Sequence, residues 1–177
     1  MIIAIDPGLS GGIAKLTNEG HFVSCVKMPT KWVNESRREI DAVALVPLLH
    51  GGDPVVVERS RAMPMQGVVS CYRIGENAGV IRGVCAALGL PMYYVEPSKW
   101  KKFYNLPGGR DNKPLAVSRA IDLFPMAPLN GDKREGMSEA LLMARYYCCT
   151  MLSGASQSSE SSDRASKGRS RAETSPR

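Results

Sequence analysis

Four carboxylates fall where chemistry could be done. Asp6 closes the apolar run MIIAID, Glu58 closes PVVVE, and Glu135 and Glu139 stand one helical turn apart in KREGMSEALLMARYY. Acids with no His or Cys among them are the ligand set that hard, oxygen-preferring cations such as Mg²⁺ or Mn²⁺ select. The chain of 177 residues carries a formal net charge of +6, which favours a polyanionic partner. Together these features suggest metal-assisted cleavage of phosphodiesters.

To bring the acids together, three segments must be aimed at one place. Residues 2–6, 12–17 and 21–27 read as three short strands joined by the Gly-rich turn PGLSGG and the turn NEG, an antiparallel meander. Helical periodicity is expected in EIDAVALVPLL, then a buried strand VVVE, a long helix over 70–88, a strand MYYVE, and helices around Lys99, Leu115 and Ala140. Strands alternating with helices after a meander imply an α/β fold with a mixed sheet covered by helices. At 44% hydrophobic residues the chain can bury one good core, read as a single domain over 1–152. Residues 153–177, SGASQSSESSDRASKGRSRAETSPR, lack apolar periodicity and read as a disordered tail rich in Ser and charge.

The remaining composition removes function classes. Five cysteines (Cys25, Cys71, Cys85, Cys148, Cys149) form no CxxC pair and read as thiols in a reducing compartment. His21 and His50 share no ligand spacing and read as surface or loop residues, so a zinc site is disfavoured. The first residues lack a basic n-region, Asp6 interrupts their apolar run, and no run approaches the roughly 18 apolar residues of a membrane span. The expected location is intracellular, in cytoplasm, nucleoid or an organelle.

Each acid has a plainer reading beside the chemical one. Asp6 before Pro-Gly is an ordinary turn former, but Gly8, Gly11 and Gly12 clear space for a phosphate or metal. Glu58 follows three β-branched residues on a buried strand and needs either a cation or a salt bridge to an arginine such as Arg59 or Arg61. Glu135, three residues after Asp132, fits a capping box as well as a metal site. Glu139 lies beside the apolar stripe Ala140, Leu141, Leu142, where a lone acid needs a reason.

The patterns IAIDPGLSGGIA, VVVE, AMPMQGVVSCYRIGENAGVIRG, VEPSKWKKFYNL and EALLMA, in this order over about residues 1–149, resemble RuvC-type Holliday junction resolvases, especially the phage and plastid branch. The resemblance implies an RNase H-like fold, a homodimer, and symmetric nicking of four-way DNA junctions with Mg²⁺ or Mn²⁺, two ions per site, leaving 5′-phosphate ends. By motif, Asp6, Glu58 and Glu139 match the family's acids. The branch usually reads Asp-Asp-Gly or Asp-His-Gly where this chain has Arg134-Glu135-Gly136, leaving Glu135 or Asp132 as the fourth acid.

Around that centre, Lys99, Lys101, Lys102 and Lys113 are candidates to stabilise phosphorane charge or track phosphates. The loop after Glu58, with Arg59, Arg61, Met63, Met65 and Gln66, is placed to meet branched DNA; its methionines either wedge into a junction or anchor the loop on the core. Trp100 and Phe103, spaced i, i+3, are expected to face inward. Gly75, Gly79 and Gly83 recur on one helix face, as a dimer interface or a sheet contact. Two other classes share some of these features: a junction-binding protein that does not cut, and an actin-like or sugar-kinase ATPase, against which the length argues.

Overall fold

In a computed structural model of the chain, the described residues are 1–107, 113–131 and 134–152. Asp132 and the expected tail lie outside them. Strands β1 (Ile2–Asp6), β2 (Gly12–Leu16) and β3 (Phe22–Lys27) form the expected meander. After a hairpin of β4 (Thr30–Asn34) and β5 (Arg37–Ile40) and helix α1 (Ala42–Leu49), strand β6 (Val55–Glu58) lies parallel to β1. Helix α2 (Val68–Ala87) leads to β7 (Met92–Val95), parallel to β6, and α3 (Pro97–Phe103), α4 (Lys113–Leu123) and α5 (Arg134–Tyr147) complete the body. The main sheet runs β3-β2-β1-β6-β7.

The β4–β5 hairpin replaces the start of the helix expected in EIDAVALVPLL. Glu39 and Ile40 belong to β5, and Asp41 caps α1 by accepting the Val43 and Ala44 amides at 3.0 and 3.1 Å. An Asp whose carboxylate satisfies two otherwise orphaned amides starts a helix at the next residue.

Two apolar layers sandwich the sheet, because successive side chains on a strand face opposite ways. Ile2, Ala4, Ala14 and Val56 face α4 and α5, whereas Ile3, Ile5, Val55 and Val57 face α1 and α2. Alanines at positions 4 and 14 let α5 settle closely on the sheet. That helix is correspondingly deep, with Ala140 to Ala144 wholly buried. The same alternation puts Asp6, after Ile2 and Ala4, and Glu58, after Val56, on the side that α5 covers.

Three cysteines are buried, Cys71 is partly buried, Cys149 is exposed, and none of the five forms a disulfide among the described residues. Burial pushes the Cys25 and Cys148 thiols up to about 11. Both histidines are exposed, and among the described residues no helix is long and apolar enough to cross a membrane.

Candidate active site

Strand pairing delivers the first two acids. Ile5 pairs with Val57 in parallel register, so Asp6 and Glu58, one residue further along, end neighbouring strands at the same edge of the sheet. Helix α5 supplies the third, Glu139, from the side that Asp6 and Glu58 face. The three feel one another: burial, then Glu139, then Glu58 push the Asp6 carboxyl up to about 7, while the Gly8 amide and Lys113 pull it down. Glu58 is likewise raised, by burial and then by Glu139, against the pull of Trp100 and Lys101.

Each acid has a distinct local partner. The Asp6 Oδ1 accepts a long hydrogen bond from the Gly8 amide at 3.4 Å. The Trp100 Nε1–H donates to Glu58 Oε1 at 3.0 Å, and Trp100 itself is 0% exposed. Lys101 Nζ stands 3.7 Å from Glu139, whose side chain is 15% exposed. Glu135 lies at the margin, its side chain 48% exposed and 3.6 Å from Lys113. Lys113 faces both Glu135 and Asp6, so it links the marginal acid to the buried three. Arg134, where the branch carries an acid, turns back to the Leu129 carbonyl in a loose 3.5 Å contact.

The salt-bridge reading of Glu58 is overturned: Arg59 and Arg61 both pair with Glu96, at 3.3 and 2.6 Å, and the indole of Trp100 satisfies Glu58 instead. The purpose assigned to two glycines is also corrected. A Cβ on Gly12 would lie 2.6 Å from the Met137 amide nitrogen, one on Gly136 would strike the Gly11 backbone, and one on Gly11 would strike the Asp6 carbonyl within its own turn. Gly11 and Gly136 are close enough to bridge as parallel strands do. Gly12 and Gly136 make room for the N-terminal turn of α5, Gly11 makes room for the tight turn after Asp6, and none of the three leaves space for a ligand; Gly8, in ordinary contact only, keeps the role of clearing space beside Asp6.

The basic and apolar candidates separate into exposed and engaged. Lys99 and Lys102 are exposed on α3, and Lys101, Lys102, Pro97 and Leu106 line an open groove of about 730 Å³. A second cleft of about 320 Å³ runs beside Glu58 along Arg59, Arg82 and Tyr94. Met63 and Met65 are exposed, not anchored on the core, and Met65 has a left-handed φ of 64°. Gln66 is engaged within its own loop, its Oε1 accepting the Met63 amide at 3.0 Å and its Nε2 donating to Ser70 Oγ at 2.7 Å. Phe103 is half exposed, packing edge-on against Tyr104 and Tyr146, so only Trp100 of that pair turns fully inward.

Reasoning from sequence overlooked Trp100 as the partner of Glu58. The available signal was an indole, a donor that accepts nothing, expected at a buried position in a chain with a buried strand acid. It also overlooked the β4–β5 hairpin, whose sign was TKWVN and RREI on either side of a short polar turn.

No protein-family model matches the sequence, and no curated protein matches it with significance. Solved structures do. Thermus thermophilus RuvC in complex with a Holliday junction substrate aligns with a TM-score of 0.59 at 15% identity, over 82% of this chain and 91% of that one. A second structure of Thermus thermophilus RuvC aligns with a TM-score of 0.53 at 17% identity, over 86% of this chain and 96% of the other. With a mixed five-stranded sheet between helical layers and acids at the ends of its first and central strands, this chain has the RNase H-like fold of RuvC.

Proposed function

We propose that the chain is a divalent-metal-dependent endonuclease that resolves four-way DNA junctions by paired nicks, acting as a homodimer. The observation that carries this reading is the convergence of Asp6, Glu58 and Glu139 on one edge of a RuvC-like fold, where burial and then the neighbouring acids push the Asp6 carboxyl up to about 7.

The donor set fits a hard cation: three carboxylates, no thiolate or imidazole, and mutual repulsion that a positive ion relieves. Among the described residues, no group of three or more His, Cys, Asp or Glu side chains stands in a geometry that could hold a metal ion, so these acids would have to draw together to bind one. Asp6, Glu58 and Glu139 would hold the ions, with Glu135 at the rim. The chemistry that such ions supply when bound is activation of a water nucleophile and stabilisation of the leaving 3′ oxygen. The chain's own groups do the rest. Trp100 fixes the orientation of the Glu58 carboxylate, and the Lys101 and Lys113 ammonium groups beside Glu139 and Glu135 oppose the charge that builds on a phosphate in the transition state. Lys99 and Lys102, exposed on α3, suit flanking phosphates.

Helix α2 offers a surface for the second copy. Gly75, Gly79 and Gly83 face open space, so they are no sheet contact, and Val68, Val69 and Tyr72 near its start are exposed. A glycine face lets a second helix approach closely, and Gly79→Leu should convert a dimer to monomer in analytical ultracentrifugation.

The deciding assay incubates the protein with a labelled four-way junction and a matched linear duplex in Mg²⁺, Mn²⁺ or EDTA, alongside Asp6→Asn and Glu139→Gln. Symmetric nicks on the junction alone, abolished by EDTA and by either substitution, are expected. Tight junction binding with no cut in any metal would make the chain a binding protein instead.

A further inference from the structure

We propose that the β4–β5 hairpin is a nucleic-acid contact in its own right, with the indole of Trp32 serving as a stacking platform for an unpaired nucleobase. The inference rests on the nucleic-acid reading above and adds a site to it.

Trp32 is 66% exposed, although an indole ordinarily gives one of the largest gains on burial. Its exposure does not come from a loose loop. Trp32 pairs with Arg38 across the hairpin, so the two share a face, and the Arg38 guanidinium lies 5.6 Å from the ring centroid. On the opposite face, Lys31 and Glu39 pair at 3.3 Å. Ser36 closes the turn on the Asn34 carboxamide through both its amide and its hydroxyl, Arg37 is tied to Glu76 of α2, and Ile40 is buried in the core. The hairpin is thus braced at tip, flank and root, and it holds a bare aromatic ring outward beside a cation.

Its root lies at the acid-bearing edge of the sheet. Lys27 pairs with Gly12, and Gly12 pairs with Asp6. The Met28 amide then fastens the hairpin base there by donating to the Gly11 carbonyl at 3.0 Å, and the Asp41 amide closes the hairpin itself by donating to the Pro29 carbonyl at 2.9 Å. Trp32 is two strand residues beyond Thr30, about 7 Å along β4. A strand leaving the site can therefore meet Trp32 within a few nucleotides. Every base has a π-face, so stacking on an aromatic ring flanked by a guanidinium selects unpaired nucleic acid without demanding a sequence. Arg38 beside the ring and exposed Lys27 at the hairpin root suit phosphates better than a second copy of this basic chain.

The test uses the full chain in EDTA, so that nothing is cut. Its two tryptophans are Trp32, exposed, and Trp100, buried against Glu58. Titration with a short dT oligonucleotide should quench the emission and shield it from acrylamide. In Trp32→Phe, which leaves only Trp100, that response should vanish. Trp32→Ala should weaken oligonucleotide binding about tenfold or more, in line with the loss of one stacked base. Arg38→Gln should lower the salt dependence by about one phosphate's worth. Melting temperature and sedimentation should not change.

Three results would overturn the proposal: wild-type emission indifferent to the oligonucleotide, equal affinity in Trp32→Ala, or a smaller oligomer in Trp32→Ala, which would mark the hairpin as a subunit contact. Failure of the nuclease reading looks different, as an intact Trp32 response in a protein that leaves junctions uncut in Mg²⁺ and Mn²⁺.

Discussion

The carboxylate of Glu58, at the end of a central strand, is held by the indole of Trp100, which donates from α3 across 3.0 Å and is itself wholly buried. Because the indole nitrogen is only a donor, this bond favours the ionised carboxylate and sets which oxygen remains available. Trp100→Phe keeps most of the packing and deletes the donor. It should lower stability by about 1–3 kcal/mol in urea unfolding, the usual consequence of leaving a buried group without its partner. Junction cleavage should fall, and its acidic limb should move to higher pH as Glu58 loses the bond that eases its ionisation.

The raised carboxyl of Asp6 makes the metal-free protein pH-dependent in a defined direction. Its folded value of about 7 stands above the ordinary 3.8, so between those values the folded state holds a proton that the unfolded state has lost. The stability that Asp6 contributes is therefore greatest below pH 4, declines as pH rises towards 7 and then levels. A shift of about three units bounds the decline at about 4 kcal/mol, and the partly accessible edge of Asp6 makes the true figure smaller. Glu58, also raised, adds in the same direction. Unfolding titrations from pH 4 to 8 in EDTA should show the decline, and Asp6→Asn should flatten it. Saturating Mn²⁺ should oppose it by binding the ionised form.

Glycines that look alike in the sequence should respond in opposite ways. Gly136→Ala drives a methyl group into the backbone of Gly11 and should cost about 3 kcal/mol or more, because neither backbone can move aside. Gly75→Ala, mid-helix with open space around it, should stabilise the isolated chain by about 0.5–1 kcal/mol. Chemical denaturation of both variants gives the comparison directly.

Lys101 stands beside Glu139 as a cation already in place. Removing it in Lys101→Met should lessen repulsion of an incoming ion and tighten Mn²⁺ binding several-fold in calorimetry, while the cleavage rate falls for want of charge opposite the phosphate. Weaker Mn²⁺ binding in the variant would show that the lysine props up the acids and does not compete with metal.

Local pattern carried much of the architecture. The meander and both parallel strands lie within a residue of their expected bounds, because apolar runs bounded by turn residues report strand ends directly. The hairpin was hidden because Trp32 and Val33 are exposed, so β4 lacks the alternation that a half-buried strand shows. Asp6, Glu58 and Glu139 were legible as acids in places where charge is costly. What held them was not, since the partners lie far away in the chain: Trp100 is 42 residues from Glu58, and the Gly11 and Gly136 contact joins the first turn to the last helix. Such pairings arise from how layers stack, which no local window contains. Glu135 illustrates the converse, since one helical turn from Glu139 it still points to the rim and to Lys113.

The backbone bridge between Gly11 and Gly136 has a bearing on time. It ties the turn after Asp6 to the helix that carries Glu139, so the main chains beneath these two acids are in direct backbone contact. On the proposed reading, closing the acids around an ion would then ask only for side-chain rotations, which take picoseconds to nanoseconds, not for loop or domain motions a thousandfold or more slower. Turnover in such an enzyme would be paced by how the DNA opens and leaves.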